Sequence, residues 1–181
     1  MKRTSLLMIL IALGMVLVIS CKKDDNNNDD DNSGSTLPDA VFSMEVTGAE
    51  THTINFTLPK NVASDYGING AHLSSQQMLT INSTDLPSTW MYGIVAQVAS
   101  IKTGTYDINA GMSSFTTSAG SGYLSVSGTI KITKADLYQA VGSVDDWFID
   151  GEFSGTYQDT NTPPNTINIT GTFKGVNIKA Q

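Results

Sequence analysis

Apolar and polar residues alternate with a period of two along most of the chain after residue 37, and this pattern predicts β-strands. The alternating apolar positions are Phe42, Met44 and Val46; Ile54, Phe56 and Leu58; Leu79 and Ile81; and Leu124, Val126, Ile130 and Ile132. The turn-like segment 47–50 separates the first two sets, which therefore predict a hairpin. The turn-rich stretch 61–70 predicts a loop. The segment 90–98 is apolar at odd and even positions alike, as expected of a central strand covered on both faces.

Two segments in the last third of the chain repeat one another. Residues 149–155 read Ile-Asp-Gly-Glu-Phe-Ser-Gly, and residues 169–175 read Ile-Thr-Gly-Thr-Phe-Lys-Gly. In each copy the isoleucine, the glycines and the phenylalanine share one strand face. We expect two adjacent antiparallel strands, whose glycines allow a bend or let a neighbouring aromatic ring pack over the backbone.

The alternation fails at one place. Leu137, Ala140 and Val141 have helical spacing, and Asp136 is available as an N-cap, which predicts a short helical turn. No long helix is expected after residue 37. About eight strands remain, and they predict that residues 37–181 form a single all-β domain, either an antiparallel β-sandwich or a partly closed β-barrel.

The first twenty-five residues follow a different pattern. Lys2 and Arg3 precede an uninterrupted run of apolar or small residues from Leu6 to Ile19. This run is shorter than the roughly 20 residues of a membrane-spanning helix, but it matches the apolar region of a secretory signal. Cys21, the only cysteine of the chain, stands where such a signal ends.

The segment Val18-Ile19-Ser20-Cys21 resembles the bacterial lipobox, in which a small residue precedes an acylated cysteine. The resemblance implies that residues 1–20 are a signal peptide that is removed and that Cys21 carries fatty acyl chains of the palmitate type. Two or more chains anchor stably, at about 0.8 kcal/mol for each buried methylene, whereas one chain binds only marginally. The alternative is an ordinary signal peptide, or an uncleaved anchor with a cysteine there by chance.

The next residues resemble the lysine-then-acid export signal of Bacteroidetes-type surface lipoproteins; they are Lys22, Lys23, Asp24 and Asp25. This resemblance implies the outer face of the outer membrane, whereas the alternative is a periplasm-facing protein whose charges merely begin a solvated tether. Every residue from 24 to 32 is Asp or Asn, so we expect residues 21–36 to form a disordered acidic tether. Fifteen residues, 22–36, reach at most roughly 50 Å.

Charge and cysteine content narrow the possible partners. Removal of residues 1–20 leaves eight lysines, no arginine and seventeen acids, a net charge of −9. Nucleic acid is therefore not expected as a partner, because phosphate neutralisation needs a basic surface. With Cys21 acylated no thiol remains for a disulfide, so the hydrophobic core must hold the fold.

The chain carries few signals of catalysis. His52 and His72 have no Gly-x-Ser-x-Gly motif and no zinc-type spacing beside them, so a packed or surface role is expected, and no metal or cofactor is predicted. Asp150 and Glu152 share one strand face at roughly 6.5–7 Å, a separation compatible with glycoside hydrolysis. That face lies opposite Ile149, however, and acids on it are expected to be solvated.

Binding is the more economical hypothesis. Trp90, Tyr92, Trp147 and Tyr157 could stack on sugars or contact a partner, and Trp147 is the best candidate for exposure; the alternative is that all four fill the core. Residues 128–132, Gly-Thr-Ile-Lys-Ile, and the two Gly-x-Phe-x-Gly strands resemble the C-terminal halves of small Bacteroidetes-type lipoproteins of an uncharacterised family. The resemblance covers about residues 100–180 and implies a fold and a location but no active site.

These observations predict a non-enzymatic lipoprotein, anchored in the outer membrane through Cys21, that binds an envelope protein or a glycan. A carbohydrate-binding accessory protein of a glycan uptake system is the first alternative. A hydrolase that uses Asp150 and Glu152 is the second.

Overall fold

The computed structural model describes residues 39–58, 68–85, 90–117 and 121–181. These residues belong to one compact unit, Thr36–Gln181. They form ten β-strands and no helix: β1 Ala40–Gly48, β2 His52–Leu58, β3 Ile68–Leu73, β4 Met78–Asp85, β5 Trp90–Gln97, β6 Gly104–Asp107, β7 Ser114–Thr116, β8 Gly122–Val141, β9 Val144–Gln158 and β10 Thr166–Ala180. The described residues include no helix that could cross a lipid bilayer.

The fold is all-β, as the alternation predicts. Seven of the ten strands close a barrel. The order around the barrel is β3, β4, β5, β7, β8, β9 and β10, and β10 returns to β3 by a parallel pairing at Ile178–Ala180. The β1–β2 hairpin extends the sheet beside the first half of β10, and β6 lies beside the middle of β8. The closed barrel decides between the two architectures that the sequence left open.

The two repeated segments lie side by side in β9 and β10, which confirms that prediction. Gly171 pairs with Phe153, and Gly151 pairs with Phe173, so each phenylalanine ring covers the glycine of the other strand. A Cβ on Gly171 would overlap the Phe153 ring and the Ser43 carbonyl oxygen. The glycines are therefore required where the aromatic rings pack on the inner face of the sheet.

Three β-bulges in β8 correct two predictions. Register shifts occur between Ser125 and Ser127, between Ile132 and Lys134, and between Leu137 and Gln139. Each extra residue moves the following side chains to the opposite face of the strand. Leu124 and Val126 are consequently exposed, although Ile130 and Ile132, at positions of the same parity, are buried.

The predicted helical turn at 136–141 is wrong, because these residues continue β8 as far as Val141. The bulge between Leu137 and Gln139 disrupts the two-residue period, and the remaining apolar spacing resembles that of a helix.

The structure also corrects the predictions for segments 90–98 and 61–70. The segment 90–98 contains β5, which ends at Gln97 and lies inside the sheet between β4 and β7. Only one face of β5 is fully buried, and Met91 is 52% exposed. The predicted loop at 61–70 ends in a strand, because Ile68–Leu73 pairs with β4 and β10. The β1–β2 hairpin is confirmed, with Met44 opposite Ile54.

The core occupies the interior of the barrel and the inner face of the attached hairpin. Its largest fully buried side chains are Tyr92, Tyr157, Phe42, Phe115, Phe173, Met44, Leu79, Ile81, Ile94, Ile130, Ile132 and Ile149. Aromatic rings pack together in this core: Phe42 stacks on Phe153 with ring centroids 5.7 Å apart, and Tyr92 is tilted against Phe153 at 5.2 Å.

Candidate functional site

The structure places three of the four predicted ligand-binding aromatics inside the core. Trp90, Tyr92 and Tyr157 are buried. The rings of Trp90 and Tyr92 each contact Phe42, and the ring of Tyr157 contacts that of Tyr92. Burial leaves no ring face on which a sugar could stack, so the core-filling alternative describes these three residues. Tyr157 has the parity of Ile149 and Phe153, which indicates the inner face. Trp90 and Tyr92 lie in a segment that is apolar at odd and even positions, so its alternation does not distinguish the two faces.

Trp147 lies elsewhere, near the hairpin that joins β8 to β9. Its side chain is partly buried against the core and faces Leu137 of β8 and Ile178 of β10. Leu137 is 51% exposed. Trp147 thus lies at the boundary between the core and solvent.

The two carboxylates considered for hydrolysis are engaged in separate contacts. Asp150 Oδ1 accepts a hydrogen bond of 2.7 Å from the backbone N–H of Gly175. Gly175 has a φ of 62° and lies where the register of β10 shifts, so Asp150 holds the bulge in that strand. Glu152 forms an exposed ion pair with Lys131 at 2.9 Å. These contacts give the carboxylates structural roles on the outer face of the sheet.

The two histidines occupy different environments. His72 is buried, with Nε2 2.7 Å from the carbonyl oxygen of Val98. His52 Nε2 lies 3.0 Å from Glu50 Oε2, and Tyr123 donates its hydroxyl proton to Glu50 Oε1 at 2.9 Å. Glu50 belongs to the turn between β1 and β2, whereas Tyr123 begins β8. This contact therefore fastens the hairpin to the barrel.

Burial and hydrogen bonding oppose each other in this cluster. Burial, the largest single influence, raises the pKa of Glu50, but hydrogen bonds from His52, Tyr123 and Ser121 together lower it below its ordinary value. Burial, followed by the bond to Glu50, raises the pKa of Tyr123 to about 12. A neutral tyrosine and a charged carboxylate are thus favoured together, as in a structural latch.

A concave region lies on the outer face of β1, β6, β8, β9 and β10. Two adjoining depressions, of about 460 and 490 Å³, open on this face. Both are lined by Thr129, Ser154 and Thr170. The first also contains Ser43, Glu45, Thr105, Lys131, Glu152 and Thr172, and the second contains Asp107, Ser127, Thr156 and Asn168. We refer to these outward side chains as the polar face.

Strand register arranges the polar face in rows. Thr129 pairs with Ser154, Ser154 with Thr170, and Thr170 with Glu45. Neighbouring members of such a row are spaced at about 4.7–4.9 Å, the distance between hydrogen-bonded strands. Hydroxyls both donate and accept hydrogen bonds, so a row of them can contact a ligand that carries many hydroxyl groups. The sequence alone does not reveal this row, because its alignment depends on the pairing of strands that are distant in the chain.

The polar face carries more negative than positive charge. Glu45, Asp107 and Glu152 face a single cation, Lys131, which already pairs with Glu152. A polyanionic ligand would be repelled. No group of three or more metal-ligating side chains occurs among the residues that the structure describes.

The residues predicted for lipidation and export lie outside the described residues; they are Cys21, Lys22, Lys23, Asp24 and Asp25. The predicted signal peptide and tether lie there as well. Comparisons with known proteins found no matching family, no matching curated protein and no matching solved structure.

Proposed function

We propose that this chain is a lipid-anchored protein of the cell envelope whose β-barrel binds a hydroxyl-rich ligand, such as a glycan, on its polar face. The lipobox-like segment that ends at Cys21 supports the anchor, and the residues from Lys22 to Asp25 support display at the cell surface. Binding is non-enzymatic in this proposal, because both candidate carboxylates have structural partners. Asp150 accepts a hydrogen bond from Gly175 at the β10 bulge, and Glu152 pairs with Lys131.

The observation that carries the binding role is the pair of adjoining depressions on one paired sheet. Thr129, Ser154 and Thr170 belong to both depressions and to one row, so their spacing is fixed by backbone pairing rather than by loops. A ligand that meets them finds its hydrogen-bond partners already in place, and this preorganisation reduces the entropy cost of binding.

A glycan array probed with the chain from Cys21 to Gln181 tests the binding role. We expect retention of neutral or amino-bearing glycans and weak retention of acidic ones, because acids outnumber cations on the polar face. Replacing all three shared residues, with Thr129→Val, Ser154→Ala and Thr170→Val, removes three hydroxyls of about 0.5–1.5 kcal/mol each. The affinity should fall at least about tenfold.

The matched control is Thr57→Val, an exposed hydroxyl on β2 that lines neither depression. It should leave the affinity unchanged. Equal affinity of the triple variant and the wild type would refute the polar face as the binding site, and an array with no retained glycan would refute the ligand class.

Lipid anchoring requires a separate experiment. Cells fed a labelled fatty acid should incorporate it into the wild-type chain and not into Cys21→Ala. Protease treatment of intact cells should digest the barrel if it is displayed outward, whereas a periplasm-facing protein would be protected.

A further inference from the structure

The end of the β8–β9 hairpin carries large apolar side chains on both faces. Leu137 and Trp147 oppose each other on the inner face of the two strands. Phe148 follows Trp147 in β9 and therefore points to the opposite face. Its ring contacts that of Tyr138, with centroids 5.5 Å apart and an angle of 78° between the ring planes. Leu137 is 51% exposed and Tyr138 is 42% exposed. We call residues 134–148 the hairpin end.

Met91, Leu124 and Val126 are also exposed, but the residues that alternate with them are buried. At the hairpin end, by contrast, none of the described side chains on either face is buried. An antiparallel strand that faces a core on one side and water on the other is polar on its outer face. The polar face follows that rule, with Thr129, Ser154 and Thr170 pointing outward. Exposed apolar side chains that cluster on both faces of a hairpin instead indicate a surface that is covered in the functional state.

The edge of the hairpin end is poorly suited to the addition of another strand. Among the described residues no strand pairs with β8 beyond Ile132 on the side away from β9. Two bulges, at 132–134 and 137–139, interrupt this edge, and Lys134 and Asp136 place charges along it. Bulges and charges are the features that keep edge strands from pairing with other chains.

The apex of the hairpin carries no charge. Eight consecutive uncharged residues, from Leu137 to Val144, separate Asp136 from Asp145, and they turn through Gly142, whose φ is 65°. A protein partner would cover one face of this hairpin, whereas a lipid interface surrounds both faces and the apex together. Tyrosine and tryptophan favour that interface, because their rings are apolar and their polar atoms remain hydrated.

The position where the chain enters the barrel agrees with this occupant. β1 begins at Ala40, one residue before Val41 pairs with Lys174, and it runs antiparallel to β10. Its start therefore faces the end of the sheet at which β9, β10 and the hairpin end continue. The chain therefore enters the barrel on this side.

We propose that the hairpin end inserts its apolar side chains into the headgroup region of the membrane that holds the lipid anchor. This inference rests on the proposed anchoring of Cys21. The acids Asp136, Asp145 and Asp146 flank the apex, so the preferred surface consists of zwitterionic lipids rather than anionic ones. Insertion would hold the barrel in one orientation, with the polar face directed along or away from the membrane.

The test attaches the chain from Cys21 to Gln181 to vesicles through its single thiol, coupled to a maleimide lipid. This attachment supplies the anchor whether or not the cell acylates Cys21, so the two proposals fail separately. The vesicles contain phosphatidylcholine and phosphatidylethanolamine, with or without bromine on the acyl chains. Bromine quenches tryptophan fluorescence at close range, and Trp147→Phe isolates the contribution of Trp147 from that of the buried Trp90.

We expect brominated lipid to quench the Trp147 emission, and the double variant Leu137→Asp/Tyr138→Asp to lose that quenching. Met112→Asp is the matched control, since Met112 is 52% exposed in the loop before β7, beside Ser125 near the opposite end of β8. It should retain the quenching. Far-UV circular dichroism would verify that each variant is folded.

Wild-type protein that is attached to the vesicles and shows no quenching of Trp147 would overturn the inference, as would quenching that the double variant retains. Protection of the hairpin end by an added envelope protein, without quenching, would assign it to a protein partner instead.

Discussion

The hydroxyl groups of Tyr92 and Tyr157 lie 2.8 Å apart and form a hydrogen bond inside the barrel. Tyr92 belongs to β5 and Tyr157 to β9, so the bond joins two strands that are not neighbours in the sheet. Burial is the largest cause of the raised pKa of both residues, which for Tyr157 reaches about 12. Each phenol supplies the polar partner that the other needs in an apolar interior.

Removing one of these hydroxyls should destabilise the protein. Tyr92→Phe or Tyr157→Phe leaves the other hydroxyl buried without its partner, at a cost of about 1–3 kcal/mol. The double variant should lose less than the sum of the single losses, because no orphaned group remains. Urea unfolding of the four proteins measures this coupling. Additive losses would contradict the hydrogen bond as the source of the effect.

The glycine–aromatic pairs of β9 and β10 should resist small substitutions. Gly171→Ala would place a methyl group against the Phe153 ring and the Ser43 carbonyl oxygen, and overpacking of this kind costs about 1–3 kcal/mol. Gly122→Ala is the control, because a Cβ there meets nothing within 4 Å. Denaturant unfolding should show a loss for Gly171→Ala and little change for Gly122→Ala. Equal stability of the two variants would show that the ring adjusts without cost.

The contact of Glu50 with His52 and Tyr123 should make stability depend on acid pH. The pKa of Glu50 is lower in the folded chain, so its charge stabilises the fold above the ordinary value of 4.5, and this contribution is lost as the pH falls through the folded-state pKa. Glu50→Gln should therefore be less stable than the wild type at neutral pH, and the difference should shrink below about pH 4.5. The pH dependence of the free energy of unfolding checks this. A constant difference would exclude titration of Glu50 as its cause.

Asp150 and Glu152 should differ in their importance for stability, although they share one face of β9. Asp150→Ala leaves the buried N–H of Gly175 without an acceptor, at a cost of about 1–3 kcal/mol. Glu152→Gln removes an ion pair that is half exposed on both sides, which costs about 0–1 kcal/mol. Thermal unfolding distinguishes the two losses. Asp150→Asn retains an acceptor oxygen and should recover part of the stability, and its failure to do so would point to charge rather than hydrogen bonding.

The polar face and the hairpin end show how site prediction depends on pairing. The threonines and serines that line the two depressions come from strands as distant as β1 and β10, and only their register brings them into rows. The acids before Trp147 predict its exposure, and the structure places it partly buried beside the exposed Leu137. The spacing of Leu137, Ala140 and Val141 predicts a helical turn, so the sequence does not reveal that Leu137 and Tyr138 lie beside Trp147 and Phe148.

Local alternation predicts the all-β domain and the β1–β2 hairpin, because a period of two reports which side of a strand meets the core. The repeated segments 149–155 and 169–175 add the prediction that β9 and β10 are neighbours. The tertiary structure alone decided that the sheet closes. The strands that the pattern did not reveal, Ile68–Leu73 and Ser114–Thr116, are among those that complete the barrel. They are short, and their partners lie far away in the chain: Gly70, for example, pairs with Ile178. Bulges in β8 likewise depend on the partner strand, since an unpaired residue is defined only by what lies opposite it. The sequence by itself thus determines which face of each strand is apolar. Which strands pair with one another is decided by the packing of the whole interior.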